Sequence, residues 1–101
     1  MEVTKQQRAF YRKLYLGWLV TQEEHSATSL QKLTGMPRRT IQDTLKDMSD
    51  IGISLHFQQI EGGRHNAGFY VLESWGPIRP EWISANLPQI EQALEISTEA
   101  G

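Results

Sequence analysis

The residues with most chemistry to offer lie within nine positions, Arg38, Arg39, Thr40, Gln42, Asp43 and Lys46. A guanidinium presents a fork of donors that matches O6 and N7 of guanine, and a carboxamide matches N6 and N7 of adenine. An ammonium or a hydroxyl suits a phosphate oxygen, which is the natural role of Arg38, Lys46 and Thr40. Asp43 can accept from cytosine, orient Arg39 one helical turn away, or repel a phosphate backbone. If Ile41, Leu45 and Met48 form a buried stripe, about 100° per residue sets Arg39, Gln42, Asp43, Lys46 and Asp50 on the opposite face. The competing reading is a solvated amphipathic helix, held by the pairs Arg39–Asp43 and Lys46–Asp50. Ser29 and Lys32, a little upstream, are weaker phosphate candidates, while Thr28 suits a helix cap.

A second cluster, Gly62, Gly63, Arg64, His65, Asn66 and Gly68, separates two apolar runs. Its glycines would let backbone approach a phosphate or enter a minor groove, with Arg64, His65 and Asn66 as contacts. In the plainer alternative Gly and Asn merely supply the positive φ of a hairpin turn. Other chemistries find no support. The chain has no cysteine, which excludes disulfides, thiolate nucleophiles and cysteine-ligated metals. His25, His56 and His65 lack metal-ligand spacing, the glycine cluster does not match a phosphate loop, and Glu23–Glu24 sit at a helix end without an apolar pocket. No metal, cofactor, small-molecule ligand or enzymatic activity is expected.

The elements that must position these residues follow from periodicity. Thr4 and Gln7 have capping-box spacing, and the apolar residues that follow predict a helix over about 5–23, apolar around more than half its girth. Ser26 or Thr28 can cap a second helix carrying Ala27, Leu30 and Leu33, which Gly35 ends. Pro37 suits the start of a third, with Ile41, Thr44, Leu45 and Met48 inward and Gly52 as its terminator. From Ile53 the period becomes two, predicting a strand with Ile53, Leu55 and Phe57 inward, a turn, and a second strand over 69–75. Gly76-Pro77 closes the hairpin. Pro80 opens a last helix with Trp82, Ile83, Leu87, Ile90 and Leu94, which Pro88 kinks or divides. Trp18, Trp75 and Trp82 are expected in core packing. Residues 1–96 read as one domain and 97–101 as a frayed tail.

The run from Ser29 to Met48, with Leu30, Leu33, Thr34-Gly35, Met36-Pro37 and Thr40-Ile41, resembles the helix-turn-helix of bacterial winged-helix regulators. Tyr70 to Ile78 and Pro80-Glu81-Trp82 resemble a small bacterial winged-helix family of which little is known beyond a DNA-binding fold. The resemblance covers nearly the whole chain. It implies a mainly α fold with a β-hairpin wing, a winged helix-turn-helix of three-helix core, hairpin and C-terminal helix. It also implies a DNA-binding transcriptional regulator, with the third helix in the major groove and the wing on the flanking backbone or minor groove. The alternative is a winged-helix protein–protein interaction or dimerisation module without DNA affinity. The N-terminal residues lack the apolar core of a signal peptide, so a cytoplasmic protein is expected.

Length and charge bound these expectations. The chain has 101 residues and a net charge of −2, which speaks against a polyanionic partner. The charge is unevenly spread. From Lys5 to Lys46, eight bases face only Glu23, Glu24 and Asp43, a local charge of +5. No run approaches the ~18 apolar residues of a membrane span. A single modest core would leave part of the first helix exposed, so a homodimer through Tyr11, Tyr15, Trp18, Leu87, Ile90 and Leu94 is expected.

Overall fold

Local hydrogen bonding sets where the first two helices begin. In the computed structural model, which describes residues 3–60 and 67–96, the Thr4 hydroxyl accepts from the Gln7 amide and the Gln7 carboxamide accepts from the Thr4 amide, both at 3.0 Å. That box opens α1 (Lys5–Gln22). Ser26 and Ser29 form the same reciprocal pair at the start of α2 (Ala27–Thr34), so Ser26 and not Thr28 is the cap. Gly35 ends α2 with φ of 76°, a left-handed position that costs glycine nothing. Pro37 immediately precedes α3 (Arg38–Asp47), and a 3₁₀ turn (Met48–Ile51) continues it.

The strands β1 (Ser54–Gln59) and β2 (Gly68–Ser74) form an antiparallel hairpin that pairs Leu55 with Leu72 and Phe57 with Tyr70. The register shifts between Ser54 and Leu55, which leaves Glu73 as the extra residue of a bulge. One further backbone bond ties this two-stranded sheet to the helices. The Tyr70 amide donates to the carbonyl of His25, between α1 and α2, at 2.9 Å. The expected last helix is divided into α4 (Pro80–Ala85) and α5 (Leu87–Leu94), with Pro88 in the first turn of the second. The side chain of Asn86 closes α4 by donating to the Trp82 carbonyl at 2.7 Å.

Helix α1 is the spine, in contact with α3, α4, α5 and β2. Its Leu14, Tyr15, Leu16, Leu19 and Val20 pack with Leu30, Ile41, Leu45, Met48, Ile53, Ile83 and Ile90. Three expectations are corrected here. Tyr15 and Ile90, read as dimer residues, are 2% and 0% exposed, because α5 folds back onto α1 within one chain. Their surface is spent in the monomer core, and the Tyr15 hydroxyl donates to the Glu91 carboxylate at 2.9 Å. Tyr11, Trp18, Leu87 and Leu94 are half-buried against the same core. Trp82 is not core: it is 43% exposed and stacks on Tyr11 with ring centroids 6.4 Å apart. Leu33, placed on the apolar side of α2, is exposed as well.

Two close approaches fix the hairpin. The half-buried ring of Trp75 lies over Gly17 of α1, where an added Cβ would come within 3.0 Å of the indole. At the hairpin's foot, Gly52 on the way in and Gly76 on the way out have φ of 89° and 59°. A Cβ on Gly76 would collide with the carbonyl of Gly52, and one on Gly52 would lie 2.6 Å from Pro77. The turns therefore cross in direct backbone contact. Arg64, His65 and Asn66, with Gly62 and Gly63, lie outside the described residues, as does the expected tail at 97–101.

Candidate nucleic-acid interface

Four residues tie α3 to the core. Ile41, Thr44, Leu45 and Met48 are buried, which turns the remaining positions outward as the periodicity requires. Arg39 stands at the apex with its side chain 93% exposed. Its guanidinium lies 4.0 Å from Asp43, a loose pair in full solvent that costs little to open. No Lys46–Asp50 pair forms within ion-pair distance among the described residues, and Asp50 sits in the 3₁₀ turn beyond the helix proper.

The two flanks of α3 differ in charge. Towards the hairpin, Arg38 and Gln42 line an open groove of about 580 Å³ with Ser26, Thr28, Phe57, Gly68 and Tyr70. Gln42 and Lys46 line its continuation with Leu55, His56, Phe57 and Tyr70. Towards α1, Thr40, Asp43 and Asp47 share a separate groove with Arg12 and Lys13. Asp43 and Asp47 thus lie on one side of α3, next to two half-buried bases of α1. The hairpin flank carries Arg38, Gln42 and Lys46 with no acid of α3 among the groove-lining residues.

The sequence-predicted residues are thereby sorted. Arg39, Gln42 and Lys46 are exposed on a contiguous face, as periodicity implied. Arg38 is exposed and donates to the Thr28 hydroxyl at 2.8 Å, so it is held against the start of α2 and braces the turn between the helices. Thr40 is half-buried and belongs to the α1 flank. Ser29 is committed internally: its hydroxyl accepts from the Ser26 amide at 2.8 Å and lies 2.9 Å from Nδ1 of His25. Lys32 is exposed in the last turn of α2.

Two pairs escaped the sequence reading. Arg12 and Lys13 matter only because α1 packs beside α3, although their basic types one turn beyond Arg8 were a signal. Phe57 is expected inward on its strand, and Tyr70 is expected only as part of the second strand. Their rings are in fact edge-to-face, centroids 5.1 Å apart, at the wall of the α3–hairpin groove. Among the described residues there is no cluster of three or more His, Cys, Asp or Glu able to hold a metal, and no helix long and apolar enough to cross a membrane. His25 is buried, with its imidazole 3.8 Å from the Glu23 carboxylate, and serves the junction between α1 and α2.

Comparison with known proteins agrees with this architecture. A family model described as winged helix-turn helix matches residues 5–94. Among solved structures, a DUF2131 family protein from Shewanella amazonensis, determined at 2.50 Å, is 46% identical and superposes with a TM-score of 0.87. The match covers 95% of this chain and 92% of that one. No curated protein matches.

Proposed function

The chain belongs to the winged helix-turn-helix family, and from that premise we propose that it is a sequence-specific double-stranded DNA-binding protein that regulates transcription. Helix α3 lies in the major groove with Arg39 and Gln42 at base edges and Lys46 and Arg38 on phosphates, and the hairpin follows the flanking backbone. The observation that carries this reading is the segregation of charge across α3. Its apex and hairpin flank present Arg38, Arg39, Gln42 and Lys46 beside an open groove, while Asp43 and Asp47 face Arg12 and Lys13. A net charge of −2 is compatible with this, because a polyanion meets the field of one face and not the sum over the molecule. Two copies on one duplex, their α3 helices about one DNA turn (~34 Å) apart, complete the proposal. The second copy would be met through the residues left accessible, such as Tyr11 and Trp82.

The test is titration of mixed genomic DNA at low and moderate salt, with sedimentation of the complex giving the number of chains per duplex. Wild type is expected to bind and to weaken steeply as salt rises. Arg39→Ala with Lys46→Ala should weaken binding at least tenfold and reduce the salt slope by about 1 for the lost phosphate contact. Absence of binding by wild type at low salt would sink the proposal, and a folded chain that instead co-purifies with a stoichiometric protein would favour the interaction-module alternative. A double variant that keeps wild-type affinity and slope would show that another face binds.

A further inference from the structure

We propose that Phe57 is a second base-reading residue, whose ring packs on the C5 methyl of a thymine next to, or paired with, the adenine read by Gln42. This rests on the DNA-binding reading and names what that groove selects. Leu55, Phe57, Tyr70 and Leu72 share one face of the hairpin by strand register. The Leu55–Leu72 end of that face packs on the core, whereas Phe57 overhangs it and is 41% exposed. The ring is nonetheless fixed in place by its neighbours. It meets Tyr70 edge-to-face and covers Gly68, where an added Cβ would come within 2.7 Å of it.

The position of the ring matters more than its exposure. Phe57 and Tyr70 line both stretches of the groove along α3, and Gln42 is the α3 residue common to both. A carboxamide that matches adenine N6 and N7 therefore shares its groove with an apolar ring. In the major groove, thymine is distinguished by one apolar feature, its C5 methyl, and phenylalanine is a suitable partner for it. Arg38 and Lys46, on the same flank, supply the charge that brings the duplex to the site. These three features together point to duplex DNA with an A·T pair and not to an apolar peptide.

The test uses duplexes selected by the wild-type chain from a random pool, resynthesised with deoxyuridine in place of thymidine, which removes the methyl and leaves base pairing intact. Selected sequences should contain a shared A·T pair. Wild type should bind the deoxyuridine duplex about fourfold more weakly, the factor for one buried methyl-sized group. Phe57→Ala should bind both duplexes equally. The wild-type comparison needs no variant, so it stands even if Phe57→Ala fails to fold, and Phe57→Gln, of similar length, then replaces it. Equal wild-type binding to the two duplexes, or a methyl preference that survives loss of the ring, overturns the inference while DNA binding itself persists. Failure to select any duplex removes the DNA-binding reading, and this inference with it.

Discussion

At the scale of single residues, the acids of α3 are the test of how charge is used. Asp43 pairs with Arg39 at 4.0 Å with both side chains in solvent, and it shares a groove with Arg12 and Lys13. A pair so exposed contributes under ~0.5 kcal/mol to folding. Asp43→Asn should therefore leave unfolding free energy within ~0.5 kcal/mol of wild type in urea titration. It should tighten DNA binding about twofold, because one charge roughly 8 Å from a phosphate in water is worth ~0.5 kcal/mol. Weaker binding by Asp43→Asn would mean that Asp43 orients Arg39 or reads cytosine. The helical wheel gave the outward direction of Asp43 but not the neighbour that it and Asp47 meet. That neighbour comes from α1, thirty residues away, and no local period encodes it. Ser29 was hard to place for a related reason, since a hydroxyl near a helix start serves a phosphate or a cap equally well until its partners are seen.

At the scale of elements, the caps were the most legible part of the chain. Thr4, Ser26, Gly35 and Pro37 act where their backbone chemistry requires, because a cap depends on residues only three or four positions apart. The hairpin was legible as two strands but not in its attachments: the backbone bond from Tyr70 to His25, the seat of Trp75 on Gly17 and the crossing of Gly52 with Gly76 are all contacts distant in sequence. Gly76→Ala tests the crossing. It places a Cβ against the Gly52 carbonyl at a φ of 59°, so both strain and collision oppose it. The expected loss is about 1–3 kcal/mol in thermal or urea unfolding, accompanied by faster hydrogen exchange across β1 and β2. An unchanged exchange pattern would show that the crossing does not secure the hairpin.

For the whole molecule, the packing of α5 on α1 decides how much surface is left for a partner. Reading an over-wide apolar stripe on α1 as a dimer seam failed at Tyr15 and Ile90 because the division of the last helix, at Asn86, lets α5 return over that stripe. The Tyr15–Glu91 hydrogen bond fastens the return. Burial, and then the Glu91 carboxylate, push the Tyr15 phenol well above its usual range. The unfolded phenol gives up its proton near pH 10 while the folded one keeps it, so above that pH the unfolded state binds fewer protons and stability falls. Tyr15→Phe should cost about 1 kcal/mol at neutral pH. Its deficit relative to wild type should shrink as pH rises past about 10, as measured by denaturant unfolding at a series of pH values. A deficit constant in pH would mean that the hydroxyl is not what fastens α5.

The unequal flanks of α3 have a mechanical consequence as well as an energetic one. Bases on the hairpin side and acids on the α1 side form a transverse dipole across the helix, perpendicular to its axis. If the chain binds DNA as proposed, the field of a duplex would exert a torque on such a dipole and roll the molecule about α3 until the hairpin side leads. The angle of approach would then be selected within a Debye length of the surface, before any base edge is touched. Arg12 and Lys13, two bases beside the two acids Asp43 and Asp47, would limit the roll by offsetting their charge.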